Sequence, residues 1–559
     1  MIVTLVNFSK SKRKDLGAFY TPMPYAKKAA ELVQMAVKRV PKENDYIILD
    51  RCAGTGNLEA ALIGLKDDNG DDLISHCVVS TYEYYEYKVL QERIGGDVRE
   101  IIPPTEANVV YENGRVANAD AMSEDFINNP IIKQYIDNPK CSVILFENPP
   151  YQDSSSISYI DDNGYRPKTG RKENYVTQQY VSAMDKFRES KGSFREITNL
   201  FIWSGFKYYL RHDTDSYILF SPCKYFKTIG LTDSVTFEKG YIFNRKHFHA
   251  SPSIISCIYW SNAEVAFVEN GHKLEVIDIC DSVCVSKGSL SVKKVNTTFL
   301  EYFDRRKFQT DTEDGVYLGR DGEEDIKHKK YGKSLYNENI IGYLRTIGYS
   351  TDAMNSILIR GTYFGARGFY LRNDNYLEKL PLFAAKKYPQ DLWYNKDIYY
   401  TTADGGDAYT KDKNFLKSCL IYTCLSNQNK CLSFDGSDGR RYQNELCFDN
   451  NALALRDLKK YQADKITALD DEEKDLLKTW DKIIFEARET KNYNPEFNYG
   501  IYQITKELNT FTVTGSGKNK KRNYDYIDLN SDLITLRSKL KQYYQTHITQ
   551  KMFKYELLK

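Results

Sequence analysis

The N-terminal half of the sequence predicts an α/β fold, in which a sheet of mostly parallel strands is flanked by helices. Short apolar runs at 47–49, 77–79 and 143–146 have the length and composition of buried strands. Each run is followed by small or polar residues, as at the ligand sites beyond the carboxyl ends of parallel strands. At 559 residues the chain exceeds what one hydrophobic core normally supports, so two or three domains are expected.

The first strand is followed by a turn of small residues, DRCAGTG at 50–56. Gly54 and Gly56 permit a tight passage from strand to helix and a close approach of the backbone to a ligand. The spacing is not GxGxxG, and the GK[ST] of a P-loop is missing, so nicotinamide dinucleotides and nucleoside triphosphates are disfavoured. The turn suits a different nucleoside ligand.

Carboxylates follow the next predicted strands. Glu83 lies beyond the run at 77–79, where a carboxylate can hold ribose hydroxyls, and Glu86 is its close competitor. A solvated acid at the start of a helix is the alternative. Asp120 ends the next predicted strand and is suited to accept a hydrogen bond from an adenine amine.

The run at 143–146 leads into the turn Asn148-Pro149-Pro150-Tyr151. The Asn148 side-chain oxygen and the Pro149 carbonyl can accept both N–H groups of a planar amine, which favours the tetrahedral geometry that develops as its nitrogen attacks. The prolines fix the turn, and Tyr151 can stack on the ring. This chemistry predicts methyl transfer onto nitrogen. A proline-rich turn that merely closes a strand is the alternative.

Three segments in this order, LGAFYTP at 16–22, LDRCAGTG at 49–56 and ENPPY at 147–151, resemble the gamma-class N6-adenine DNA methyltransferases. That family includes the methylase portions of Type I and Type IIG restriction-modification enzymes. The resemblance covers residues 16 to about 285 and implies a Rossmann-like class I methyltransferase domain with a mixed seven-stranded sheet. One departure is Arg51, where the family commonly carries a small residue or proline.

The resemblance also implies roles for individual residues. The expected S-adenosyl-L-methionine ligands are Phe19, Tyr20, Thr21, Pro22, Asp50, Ala53, Gly54, Gly56, Glu83, Asp120 and Asn148. The expected catalytic residues are Asn148, Pro149, Pro150, Tyr151 and Phe248. Phe248 is the candidate for stacking on the second face of the target base, with Tyr225 as its rival, and core packing is the alternative for both.

Composition shifts divide the chain into three parts. We expect a methyltransferase domain at 1–285, a connecting region at 286–335, and an α+β target-recognition domain at 336–559 that includes C-terminal helices near 471–487 and 533–544. The candidate DNA-binding residues are Arg360, Tyr363, Arg367, Arg372, Arg440 and Arg441. The basic run at 518–522 could touch phosphates, and solvated hairpin surface is the alternative for the arginine-rich stretches.

Composition also sets limits on location and partners. The net charge of +2 does not indicate a polyanion partner, although a local basic cleft can exist within a balanced total. No signal peptide or apolar run long enough to span a membrane is evident, and the eleven cysteines form no CxxC pair. We therefore expect a cytoplasmic monomer with reduced thiols, no metal and no membrane association.

The sequence thus predicts a site-specific, adenine-specific DNA methyltransferase that flips its target base out of duplex DNA. It would act within a restriction-modification system, with a separate restriction endonuclease as a candidate partner, or as an orphan methylase. The alternatives are methylation of RNA adenine or protein glutamine, a bifunctional restriction enzyme whose nuclease is not recognised, and a silent DNA-binding subunit.

Overall fold

The protein is represented by a computed structural model. It describes residues 20–102, 119–151, 174–184, 193–250, 252–264, 271–303, 340–346, 351, 357–359, 368–389, 391–435, 441–448, 466–515 and 521–559. The chain divides into two compact units. Unit 1 comprises Met1–Val295 with Asp391–Ile398, and unit 2 comprises Asn296–Gln390 with Tyr399–Lys559. The expected domain limits at 285 and 335 remain a prediction.

Unit 1 is built on one large mixed sheet. Among the described residues its strands are β1 (Asp45–Asp50), β2 (Cys77–Ser80), β3 (Glu100–Ile102), β4 (Cys141–Glu147), β5 (Ser216–Ser221), β6 (Thr236–Asn244), β7 (Ile254–Ser261), β8 (His272–Cys280) and β9 (Val283–Val292). The strand order is β3-β2-β1-β4-β5-β7-β6-β8-β9. The first five strands are parallel, and β7 is antiparallel to both its neighbours.

The expected mixed α/β architecture is confirmed, but the sheet has nine described strands where we expected seven. The difference arises at one edge, because β8 pairs with β6 and β9 pairs back on β8. Most residues of β9 are exposed, so its sequence contains no apolar run that would predict a strand.

The helices of unit 1 cover the sheet. They are α1 (Met23–Val37), α2 (Asn57–Ala60), α3 (Tyr84–Ile94), α4 (Glu124–Ile127), α5 (Pro130–Ile136), α6 (Tyr175–Met184) and α7 (Ile197–Ser204). Every residue of β2, β4, β5 and β7 is buried, as expected for strands covered on both faces. Helix α1 follows Pro22 and buries one apolar face, which includes Tyr25, Ala29 and Val33.

The strand register brings two strand ends together. Leu49 of β1 pairs with Leu145 of β4, so Asp50 and Glu147 end neighbouring parallel strands at the same edge. The turn after β1 and the turn after β4 therefore begin side by side, and the candidate site forms at this edge.

Unit 2 combines small antiparallel sheets with helices. Its described strands are β10 (Ile340–Arg345), β11 (Ile357–Ile359), β12 (Gly368–Arg372), β13 (Phe434–Asp435), β14 (Arg441–Tyr442), β15 (Phe511–Thr514) and β16 (Lys521–Tyr524). Its helices are α8 (Tyr376–Ala385), α9 (Lys413–Leu425), α10 (Asp471–Arg488), α11 (Ile501–Gln503), α12 (Ile527–Tyr543) and α13 (Gln550–Lys554).

Helices α10 and α12 lie at and near the two C-terminal segments for which the sequence pattern predicts helices. Helix α10 starts with a capping box, in which Asp470 accepts from the backbone N–H of Glu473 and Glu473 accepts from that of Asp470. The Glu473 carboxylate also pairs with the buried Lys417 of α9 at 2.7 Å. Within the described part of the chain, no helix has the length and apolar character needed to cross a membrane.

Candidate functional site

A cavity of about 240 Å³ opens at the edge where β1 and β4 end. This volume is near the lower end for small-molecule pockets, roughly 300 Å³. The expected site residues that line it are Tyr20, Thr21, Asp50, Ala53, Gly54, Glu83, Asp120, Asn148 and Pro150. Segments far apart in sequence thus converge on one cavity.

Other expected residues support the cavity without lining it. Pro22 is the N-cap residue of α1, and Pro149, which follows Asn148 in the chain, is buried. Tyr151 contacts the site through its hydroxyl, which donates to Asn148. Phe19 lies outside the described residues.

The glycine turn has the backbone conformation that its sequence requires. Gly54 and Gly56 have φ angles of 56° and 78°, in the left-handed region that favours glycine. A Cβ on Gly56 would lie 2.9 Å from side-chain atoms of both Leu90 and Ile94, whereas one on Gly54 would meet nothing nearer than 3.7 Å. Gly56 thus permits close packing of the turn on α3, and Gly54 presents backbone to the cavity.

A hydroxyl network forms the wall beside the glycine turn. Tyr20 and Tyr85 each donate to Glu86 Oε1 at 3.0 Å, and Thr81 donates to Oε2 at 3.0 Å. Burial raises the pKa of Glu86, although the hydrogen bonds from the three hydroxyl groups lower it. Glu86 therefore holds the wall together, while Glu83 lines the cavity at the N-cap of α3. The assignment of Glu83 to the ribose stays a prediction.

Asp120 forms a local turn at the cavity wall. Its Oδ1 accepts from the backbone N–H of Met122 at 2.9 Å, which fixes the carboxylate. Met122 also lines the cavity and supplies an apolar surface next to this carboxylate. A polar acceptor beside an apolar side chain suits a purine ring with an exocyclic amine.

The Asn148 amide connects two of the sequence motifs. Its Nδ2 donates to Thr21 Oγ1 at 2.9 Å, and its Oδ1 accepts from the Tyr151 hydroxyl. The turn is held from the other side by Thr198 of α7, whose hydroxyl donates to the Pro150 carbonyl at 3.0 Å. The amide oxygen is therefore oriented toward Tyr151.

Arg51, which stands where the resembling family commonly carries a small residue or proline, forms a buried ion pair with Glu147. Arg51 Nε lies 2.6 Å from Glu147 Oε1, and Nη2 lies 2.9 Å from Oε2. The guanidinium also donates to Ser204 Oγ and the Phe201 carbonyl, while the Tyr217 hydroxyl donates to Glu147. Burial lowers the pKa of Arg51, but the Glu147 carboxylate more than offsets this and holds it above its usual range.

A second buried pair lies below the glycine turn. Asp50 and Glu59 are both buried, the Glu59 charge acts on Asp50, and Asp50 Oδ1 accepts from the Cys52 N–H at 2.7 Å. Burial raises the pKa of Glu59 to about 7, and burial together with the Glu59 charge raises that of Asp50. Burial therefore favours the protonated form of both carboxyls.

The structure corrects the expectation for Phe248. This ring is 1% exposed and packs between Tyr25 and Phe220, with centroid distances of 5.8 and 6.5 Å. Its rival Tyr225 is equally buried and accepts from the indole N–H of Trp260. Neither ring lines the cavity, so core packing describes both.

Most of the candidate DNA-binding residues, namely Arg360, Tyr363, Arg367 and Arg440, lie outside the described residues. Arg372 pairs with Asp374 at 3.0 Å. Arg441 pairs with Asp435 at 2.8 Å and with Glu496 at 2.6 Å. Both described arginines are thus engaged by carboxylates at the surface of unit 2.

Three of these features were not foreseen from sequence: the Arg51–Glu147 pair, the Asp50–Glu59 pair and the Thr198 hydrogen bond. The Arg51–Glu147 pair could have been found from the sequence, because these opposite charges follow two apolar runs that were expected to be strands of one sheet. The other two depend on which way α2 and α7 face, and no residue pattern indicates this.

No protein-family model and no curated protein matches the sequence. Solved structures with some likeness include the Type IIL restriction-modification enzyme MmeI in complex with DNA, at 13% identity and a TM-score of 0.34 over 97% of this chain and 77% of that one. The Type IIG restriction endonuclease BpuSI shares 13% identity at a TM-score of 0.31, over 48% of this chain. This chain matches only 28% of the length of BpuSI.

A putative class I S-adenosylmethionine-dependent methyltransferase from Listeria monocytogenes has 12% identity and a TM-score of 0.28, over 47% of this chain and 67% of that one. At TM-scores of 0.34 and below, these likenesses do not establish a shared activity.

Proposed function

We propose that the protein is an S-adenosyl-L-methionine-dependent DNA methyltransferase that modifies N6 of adenine. The observation that carries the proposal is the position of the Asn148 amide. It begins the turn after β4, lines the cavity beside the glycine turn, and bonds Thr21 of the FYTP segment. An amine acceptor, a nucleoside-sized cavity and a third motif therefore meet at one place.

The cavity residues fit the proposed cofactor. Gly54 lines the cavity and has no side chain, so a ligand can approach its backbone closely, and Glu83 and Asp120 offer carboxylates to ribose hydroxyls and an adenine amine. Tyr20 and Thr21 close the side next to Asn148. When bound, S-adenosyl-L-methionine supplies an electrophilic methyl group on a positively charged sulfur.

The Asn148 turn binds the target amine through two hydrogen-bond acceptors. The Asn148 side-chain oxygen and the Pro149 carbonyl accept the two N–H groups of the target amine, and the amine takes the place of the Tyr151 hydroxyl on Asn148. Released from that bond, the Tyr151 ring is available to stack on the base. The two acceptors would leave the nitrogen lone pair available to the methyl group that the bound cofactor would supply, and the surplus proton would leave the nitrogen for solvent.

Duplex DNA is the proposed substrate, and the adenine must leave the base stack to reach the cavity. Extrusion of a base costs on the order of a few kcal/mol, which stacking on Tyr151 helps to offset. A separate restriction endonuclease is a proposed partner, and the protein acts as a monomer.

The test uses the full chain with tritiated S-adenosylmethionine. Duplex DNA, single-stranded RNA and a mixture of proteins are offered in parallel, and the labelled product is digested and identified. We expect label in N6-methyladenine from DNA. Label in N4-methylcytosine would overturn the choice of adenine, and label only in RNA or in protein glutamine would overturn the choice of DNA. The Asn148→Ala variant serves as the inactive control.

A further inference from the structure

Strands β15 and β16 form a hairpin that makes up its own two-stranded sheet within unit 2. Phe511 pairs with Tyr524, and Thr514 pairs with Lys521. The hairpin is closed at its base by Asp525, whose N–H donates to the Thr510 carbonyl at 3.0 Å and whose carboxylate accepts from the Thr510 hydroxyl at 2.5 Å. Its strands are thus registered without help from another sheet.

Both faces of this hairpin are open to solvent. Seven of its eight strand residues are exposed, and Tyr524 is partly exposed. Phe511 and Val513 leave 39% and 53% of their surface in water. A two-stranded hairpin alone is marginally stable in water, and exposed apolar side chains on such a hairpin indicate a surface that a partner covers.

Each face of the hairpin carries one positively charged side chain. Phe511, Val513, Arg522 and Tyr524 share one face, because cross-strand partners point the same way, and Lys521 lies on the other. The Arg522 guanidinium lies 4.7 Å from the centre of the Phe511 ring, which holds it along the strand. The two strands contain no carboxylate. A cation on each face suits a partner with negative charge on both sides of a groove.

We propose that the β15–β16 hairpin binds duplex DNA by entering its major groove. The major groove, about 12 Å wide, admits a two-stranded ribbon between two phosphate backbones. Lys521 contacts phosphates along one wall, and Arg522 contacts the opposite wall or a base edge, while Phe511 and Val513 are shielded from water. The choice of DNA as partner rests on the proposed function, and the contact with the hairpin is a separate claim.

The experiment compares the wild type with the double variant Lys521→Ala/Arg522→Ala. Both substitutions are on exposed strand residues, so the thermal midpoint should not change, and a melt checks this. DNA affinity is measured by fluorescence anisotropy with a mixed-sequence duplex over a range of salt concentrations. Each phosphate contact contributes about 0.9 to the slope of log K against log salt. We expect the slope to become shallower by roughly 1 to 2 and the affinity at low salt to fall at least about tenfold.

A matched control is Lys478→Ala/Lys482→Ala, which removes the same charge from the exposed face of α10. We expect this control to keep the wild-type slope within about 0.3. A further variant, Phe511→Ala, keeps both cations and should weaken binding with little change of slope. Equal slopes in the wild type and the Lys521/Arg522 variant would overturn the proposal, as would equal losses in both double variants.

The outcome is separable from the proposed function. A variant that methylates DNA with an unchanged salt slope overturns the hairpin proposal and leaves the methyltransferase proposal intact. Hairpin-dependent DNA binding by a protein that methylates no DNA supports the hairpin proposal and overturns the methyltransferase proposal. Hairpin-dependent binding to anionic lipid vesicles but not to duplex DNA overturns the assigned partner.

Discussion

Arg51 and Glu147 form a fully buried, two-point ion pair between the turns that follow β1 and β4, with N–O distances of 2.6 and 2.9 Å. Arg51 follows Asp50 in the chain, and Glu147 precedes Asn148. The backbone N–H of Arg51 also donates to Glu147 at 3.2 Å. One pair of side chains therefore fixes the spacing between the glycine turn and the Asn148 turn.

Removal of one partner of this pair should destabilise unit 1. We expect Arg51→Met to lower the free energy of unfolding by about 3–5 kcal/mol, because it leaves the Glu147 charge buried without its partner. The double variant Arg51→Met/Glu147→Leu should regain much of this loss, since it buries no charge. Urea unfolding at pH 7 measures both. A single variant within about 1 kcal/mol of the wild type would contradict the assignment of the pair as fully desolvated.

Substitution of Asn148 should separate catalysis from cofactor binding. We expect Asn148→Ala to reduce kcat by about two to three orders of magnitude, since it removes an acceptor positioned for the reacting amine. Cofactor affinity, measured by equilibrium dialysis, should change by less than about threefold, because the glycine turn and Glu83 are intact. Tyr151→Phe is the matched control, since it keeps the ring and removes only the hydroxyl that donates to Asn148 Oδ1. A large loss of cofactor affinity in Asn148→Ala would refute its assigned role.

The two glycines of the turn should respond differently to an added methyl group. Gly56→Ala is expected to destabilise the fold by more than 1 kcal/mol, because its Cβ would lie 2.9 Å from Leu90 and Ile94 at a φ of 78°. Gly54→Ala meets no atom nearer than 3.7 Å, so its cost in stability comes from its φ of 56° alone and should be smaller, and it should chiefly weaken cofactor binding because Gly54 lines the cavity. Thermal melts with and without S-adenosylmethionine distinguish the two effects. The reverse order of stabilities would show that the turn packs differently.

The Asp50–Glu59 pair should make stability depend on pH. Burial raises the pKa of Glu59 from 4.5 to about 7, so the folded state binds more protons than the unfolded state between these values. The contribution is therefore fully present below about pH 4.5 and is lost as the pH rises through about 7. We expect Glu59→Gln to remove a slope worth on the order of 1–3 kcal/mol across this window. Urea unfolding of both proteins from pH 4.5 to 8 gives the measurement, and parallel curves would count against a raised pKa of Glu59.

The central strands could be predicted because their sequences are unambiguous. The apolar runs at 47–49 and 143–146 became β1 and β4, since residues buried on both faces need no alternation. The motif residues after them converged on one cavity for the same reason, because parallel strand ends share an edge.

Features that depend on tertiary packing were not predicted. The β8–β9 hairpin lacks a continuous apolar run, and the resemblance implies only seven strands, so neither signal predicts it. Phe248 was expected beside the target base, but an aromatic residue after a strand has the same sequence pattern whether it faces a ligand or the core. The direction of Arg51 depends on Glu147, which is remote in sequence.

The short segment Asp391–Ile398 belongs to unit 1 although it is flanked on both sides by unit 2. It packs near β6 and β7, and Asp397 accepts a hydrogen bond from Ser253 at 2.5 Å. A recombination event in the gene after codon 295 would therefore replace unit 2 together with eight residues of unit 1. If related genes exchange their C-terminal regions, residues 391–398 and the residues around Ser253 should change together.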